Sequence, residues 1–166
     1  MQIRLPADLV VYKKAYHLAM EIFRLTETWP PEEKYSLTGQ IRRSTRSVCA
    51  NLREAWSKRR YEPRLLGKLA DSDGENSETD TWLDFARDCG CLAPDEHARL
   101  SAECRQVGAM LGSMIKNPSP FLVRPPTSDL RPSTPAPSLP MNHDLHPVVS
   151  RPVGPVAAVA FHEPSM

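Results

Sequence analysis

Two groups of residues in this 166-residue chain have the types and spacing to do chemistry. The first is a run of cations. Arg42, Arg43, Arg46, Arg53, Lys58, Arg59, Arg60, Arg64 and Lys68 fall between Thr38 and Lys68, opposed only by Glu54 and Glu62. The planar guanidinium fork matches phosphate or carboxylate bidentately, so such a run suits a nucleic-acid backbone or an acidic neighbour. The second group is a set of soft ligands, Cys89-Gly90-Cys91 with His97 and Cys104. A structural zinc site needs four converging donors, commonly from paired short knuckles. One Cys-x-Cys lacks that pairing, and the set reads as structural thiols near a helix–helix turn.

Signatures of catalysis are missing. No histidine stands near a Ser or Cys in a spacing suited to nucleophilic attack. Glu75 and Glu78 lie one helical turn apart, without the histidine of a Glu-x-x-His metal motif. The seven glycines are isolated and build no phosphate loop. Neither an enzyme, a cofactor nor a metal is expected.

Charge is informative through its distribution. Formal net charge is only +1. The span from Thr38 to Lys68 nets +7, and Asp71 to Glu96, with nine acidic residues against Arg87, nets −8. That dipole suits a basic helix lying beside an acidic one. No apolar run reaches the roughly 18–20 residues of a membrane span, and the first residues lack a signal peptide's apolar core. A soluble, cytoplasmic protein with free thiols is expected.

Four helical segments must position these residues. The first is expected from about Asp8, as N-cap, to Glu27, with Leu9, Tyr12, Tyr16, Ala19, Ile22 and Phe23 at three- and four-residue spacing. Trp29-Pro30-Pro31 stops it. The second is expected from Pro31 to Lys58, with Glu32-Glu33 at its positive end. Leu37, Ile41, Val48, Leu52, Ala55 and Trp56 share its apolar arc, and Arg42, Arg46 and Arg53 line one border within about 40°. The fourth opens at Pro94-Asp95-Glu96 and carries the seam Leu100, Cys104, Val107, Leu111 and Met114.

The third segment is ambiguous. Propensity reads Asp71-Ser72-Asp73-Gly74-Glu75-Asn76-Ser77-Glu78-Thr79-Asp80 as a loop. Yet Leu65, Leu69, Ser72, Asn76, Thr79 and Leu83 form one stripe at helical spacing, which permits a single long helix with a polar middle layer.

Three readings of the arginines compete. Arg42 and Arg46 can pair with Asp71, Glu75 and Glu78 in a polar bundle layer, an arrangement that fixes register more than it stabilises. Arg43, Arg53, Lys58, Arg59, Arg60, Arg64 and Lys68 can contact nucleic-acid phosphate, with affinity falling as salt rises. Any of them can also be plainly solvated. Tyr61 beside the cluster can stack on a base or simply pack.

Composition shifts at Asn117. Residues 118–166 hold 12 of the 17 prolines and no periodic apolar spacing, so ordering entropy outweighs any burial they can achieve. The expected organisation is a bundle over 1–117 and a disordered Pro-rich tail over 118–166. The tail's Pro-rich runs could dock a partner protein.

Asp8-Leu9-Val10-Val11-Tyr12-Lys13-Lys14-Ala15, Leu37-Thr38-Gly39-Gln40-Ile41-Arg42-Arg43-Ser44, and Ser47-Val48 with Ala50-Asn51-Leu52 and Glu54 carry a resemblance. So do Glu78-Thr79, Trp82-Leu83, Gly90-Cys91-Leu92 and Leu111-Gly112-Ser113-Met114-Ile115. Together they resemble the small four-helix-bundle family encoded in 23S rRNA intervening sequences, over about residues 6–120. The resemblance implies an all-α, up-down-up-down four-helix bundle and a continuous third helix. It also implies a homo-oligomer, a pentameric ring as in the related accessory proteins of diversity-generating retroelements, and RNA as the leading ligand. The alternative is a protein-interaction scaffold without a nucleic-acid ligand. Three positions depart from the family pattern: Ala55 stands where glycine is usual, Arg46 and Arg53 add charge, and Ala93 replaces a capping Ser or Thr.

Overall fold

The computed structural model describes residues 5–123. They form helices α1 (Val10–Leu25), α2 (Leu37–Ser57), α3 (Glu62–Asp88) and α4 (Pro94–Lys116), joined by short connections, with no strand among the described residues. α1 packs on α2 and α4, α2 on α3, and α3 on α4. Short links between antiparallel neighbours give the up-down-up-down bundle.

The helix ends follow local chemistry. Asp8 does not cap α1; its carboxylate accepts from the Leu5 amide at 2.8 Å and closes a 3-10 turn, Pro6–Asp8, so α1 starts at Val10. Pro31–Lys34 forms another 3-10 turn rather than the first turn of α2. The Glu33 carboxylate then accepts from the Leu37 amide at 3.4 Å and from the Ser36 hydroxyl. A carboxylate there also meets the positive end of the helix dipole.

The core has two apolar halves. One joins Leu9, Val11, Tyr12 and Ala15 of the first segment to Val48, Leu52, Leu65, Leu69, Val107 and Leu111. The other joins Leu18 and Ile22 to Leu37, Ile41, Leu83, Ala86, Leu100 and Cys104. The stripe of α1 is therefore rotated from the expected one: Val11, Ala15 and Leu18 point inward. Tyr16 is 54% exposed, its ring stacked on Tyr12 at 6.2 Å.

Between the halves lies a polar layer, and it explains why α3 runs unbroken for 27 residues. Ser72 donates to Val48 O at 2.9 Å, and the Asn76 amide donates to Cys104 O at 3.0 Å. Thr79 Oγ1 stands 2.9 Å from both Ser44 Oγ and Glu75 O. The buried side chains of Ser72, Asn76, Thr79 and Ser44 each find a partner, so their burial costs little. The loop propensity of 71–80 is overridden by bonds to other helices.

α4 ends at Lys116, as Asn117-Pro118 dictates, but the chain stays on the bundle for a further turn. Residues Ser119–Phe121 form a 3-10 turn, Phe121 and Leu122 cover the first apolar half, and the Val123 amide donates to Arg59 O at 3.1 Å. The rest of the expected tail, 124–166, lies outside the described residues.

Candidate nucleic-acid interface

The cations divide by the face of α2 on which they stand. Arg42, Arg46 and Arg53 all turn toward α1, not toward the acidic α3. Arg42 donates to Thr26 Oγ1 at 2.6 Å and Phe23 O at 3.2 Å, with its guanidinium 4.5 Å above the Phe23 ring. Arg46 stands 5.7 Å from the same ring. The expected layer of Arg42 and Arg46 with Asp71, Glu75 and Glu78 is therefore not formed. The reason is the helical step: the border carrying residues 42, 46 and 53 lies on the opposite side of the apolar arc from Arg43, Asn51 and Glu54. Cation–π contacts with α1 take the place of ion pairs with α3.

Arg53 follows the same rule. Its Nε donates to the Tyr12 hydroxyl at 2.9 Å and its guanidinium sits 5.1 Å from that ring. The phenol oxygen raises its already high pKa.

α2 and α3 are instead linked by other pairs. Arg43 meets Glu78 at 2.8 Å, and Lys68 reaches Glu54 at 3.1 Å, Asp71 at 3.0 Å and Asn51 Oδ1 at 3.2 Å. Lys58 adds a second ammonium to Glu54 at 3.1 Å. Hydrogen bonds from Lys68 and then Lys58 hold the Glu54 carboxyl below its ordinary range. Asp71 and Glu54 in turn raise Lys68. Arg43 lies about 22 Å along the helix from Lys58, at 1.5 Å per residue, so it belongs to a different part of the surface.

What remains is the turn between α2 and α3. α2 stops at Ser57, Tyr61 sits at the N-cap of α3 and Pro63 occupies its first turn, a position that tolerates proline. Lys58, Arg59 and Arg60 are thus presented on a tight corner, with Arg64 one turn into α3. Arg59 is held flat: its guanidinium lies 4.1 Å from the Trp56 ring, and Nη1 donates to Trp56 O at 2.6 Å. Arg60 and Arg64 are exposed, and among the described residues their side chains make no hydrogen bond or ion pair. Tyr61 beside them is 59% exposed. An open groove of about 320 Å³, lined by Lys58, Arg64, Gly67, Lys68 and Asp71, runs along this corner.

The sequence missed the aromatic platforms. Tyr12, Phe23 and Trp56 each seat an arginine, and only Trp56–Arg59, at i and i+3, carried a readable signal.

The soft ligands serve other ends. Gly90, at φ 73°, closes α3 in a Schellman cap, with the Gly90 amide on Arg87 O at 3.0 Å and the Cys91 amide on Ala86 O at 2.8 Å. Cys104 is buried in the core, and burial pushes its thiol up to about 12; Cys89 is exposed. His97 is turned to Asp84 Oδ1 at 2.8 Å.

No helix among the described residues is long and apolar enough to cross a membrane. No curated protein matches the chain. Among solved structures, a protein of unknown function from the S23 ribosomal protein family of Bacteroides thetaiotaomicron VPI-5482 is similar, with a TM-score of 0.59 and 27% sequence identity. The match covers 64% of this chain and 96% of that one. The family model for 23S rRNA-intervening sequence proteins matches residues 7–113. With the motifs of α2 lying on a bundle of matching architecture, the chain belongs to the 23S rRNA-intervening sequence protein family.

Proposed function

We propose that the protein is a non-catalytic module that binds structured RNA at the α2–α3 corner. The observation that carries this reading is that Arg60 and Arg64, among the described residues, have unpaired side-chain donors beside an exposed Tyr61 and a pre-oriented Arg59. Guanidiniums already bonded to a neighbouring helix, as Arg43 is to Glu78 and Arg53 to Tyr12, have fewer donors left for a ligand. Of the expected contact residues, Arg59, Arg60 and Arg64 are therefore the main ones, with Lys58 and Lys68 alongside. Arg43 and Arg53 have intramolecular roles. A cytoplasmic location would fit an RNA ligand.

The test is fluorescence anisotropy with a structured RNA hairpin across a salt series. Affinity should fall with salt, and Arg60→Glu/Arg64→Glu should lower the slope of log K against log salt by about 1.4–1.8, the share of two phosphate contacts. An unchanged slope in that double variant, or no binding at low salt, overturns the reading.

A second reading concerns assembly. The outer face of α3 presents Gly67, Ala70, Gly74, Ser77 and Thr81, all exposed, with no large side chain among them. Such a row allows another helix to approach closely, as a homo-oligomer such as a pentameric ring requires. Ala70→Arg should reduce the mass seen by mass photometry; an unchanged mass excludes this face as the interface.

A further inference from the structure

On the α1–α4 side, across the bundle from the basic corner, three donors converge from two helices. His17 and Glu21 stand at i and i+4 on α1, and Glu103 comes from α4. His17 Nδ1 lies 3.8 Å from Glu21 Oε2 and 4.0 Å from Glu103 Oε2, and the three ligand atoms all fall within 4.8 Å of one another. Among the described residues this is the one such group of His, Cys, Asp and Glu side chains.

Arg99 organises the group. It binds Glu21 Oε1 at 2.6 Å, Glu103 Oε1 at 3.0 Å and Glu96 Oε2 at 2.9 Å. Each of the two ligand carboxylates is thus held by its other oxygen, and both Oε2 atoms are left aimed at His17. Glu21 Oε2 is buried and, among the described residues, has no hydrogen-bond partner. A buried, unpaired carboxylate oxygen is costly, so it calls for a partner. Three carboxylates against one guanidinium leave the cluster negative even with His17 neutral.

We propose that His17 Nδ1, Glu21 Oε2 and Glu103 Oε2 bind a first-row divalent transition-metal ion, with Arg99 as the positioning residue behind the carboxylates. One imidazole with two carboxylates is a donor set that zinc accepts, at metal–ligand distances near 2.0–2.2 Å. Ligand atoms around such an ion stand about 3.0–3.5 Å apart, so closure requires each side chain to move only a few tenths of an ångström. The imidazole is exposed, which leaves the remaining coordination positions open to water. The ion would tie α1 to α4 and supply the partner Glu21 Oε2 lacks.

The experiment uses the full chain, stripped with a chelator, in a Cys89→Ser/Cys91→Ser background that removes accessible thiols. Zinc titration calorimetry should give one ion per chain, cobalt should show a d–d spectrum of nitrogen and oxygen ligation, and zinc should raise Tm. His17→Ala and Glu103→Gln should each weaken binding at least about tenfold, the scale on which even outer-shell partners act. The His17 side chain is 71% exposed, so its loss leaves the metal-free fold intact and keeps the result readable by circular dichroism. Absence of saturable zinc binding, or one-to-one binding that survives His17→Ala, overturns the proposal.

Discussion

Gly108 and Gly112 stand one turn apart on α4, and replacing each by alanine should move stability in opposite directions. Alanine in a helix interior gains roughly 0.5–1 kcal/mol over glycine by reducing the freedom of the unfolded chain. At Gly112 an added Cβ meets nothing within 4 Å, so that gain should appear in full. At Gly108 the Cβ would stand 3.2 Å from Asn76 Nδ2 and 3.6 Å from Asp73 Oδ1. Asn76 cannot simply step aside, because it is 6% exposed and its amide donates to Cys104 O at 3.0 Å. Displacing it weakens a buried hydrogen bond, a loss of about 1–3 kcal/mol. The net at Gly108 is then about 0–2.5 kcal/mol of destabilisation, and the two variants should differ by about 1–3 kcal/mol. At roughly 4 °C per kcal/mol for a domain of this size, thermal melts should resolve the difference. A Gly108→Ala melt raised as far as that of Gly112→Ala would refute the close packing of α4 on the polar layer.

Three further outcomes follow from the same geometry. Truncation after Val123 should leave the melt unchanged, whereas truncation after Asn117 should cost about 1–2 kcal/mol, the value of a partly buried Phe121 with Leu122; equal melts would remove the last turn from the core. Alkylation of the native protein should modify Cys89 and spare Cys49 and Cys104, whose thiols burial pushes up to about 11 and about 12; mass spectrometry showing either buried thiol labelled as fast as Cys89 would contradict this. Glu54 is held below its ordinary pKa, so its contribution to stability is present above the unfolded value of about 4.3 and is lost as pH falls through the lower folded value. Glu54→Gln should flatten the acid limb of the Tm profile, and an unaltered limb would mean the Lys68 and Lys58 bonds are not maintained in solution.

The apolar seams of α2 and α4 could be read directly, because Ile41, Val48, Leu52, Leu100, Val107 and Leu111 follow a helical period that no other element shares. The basic corner was also visible, as a charge run with Tyr61 beside it. The assignment of individual arginines was not. Arg42 and Arg43 are adjacent in sequence, yet one is fixed by Phe23 of α1 and Thr26 just past its end, and the other by Glu78 of α3. A charge run specifies a cationic surface, while the partner of each cation depends on which helix the fold places opposite it.

By itself, the sequence determined where chain direction changes and which faces of α2 and α4 are apolar, since prolines, Gly90 and helical periodicity act locally; the face of α1 was fixed only by packing. Propensity and periodicity left residues 71–80 open between helix and loop; the resemblance implied a continuous helix, and the tertiary structure shows that helix and its reason. Their intrinsic preference is for turns, and the balance is tipped by hydrogen bonds from Ser72, Asn76 and Thr79 to Val48, Cys104 and Ser44. The same holds for the basic surface. Which guanidiniums are bonded to a neighbouring helix and which are left unpaired at the α2–α3 corner is set by packing between helices, and that information does not reside in any one segment.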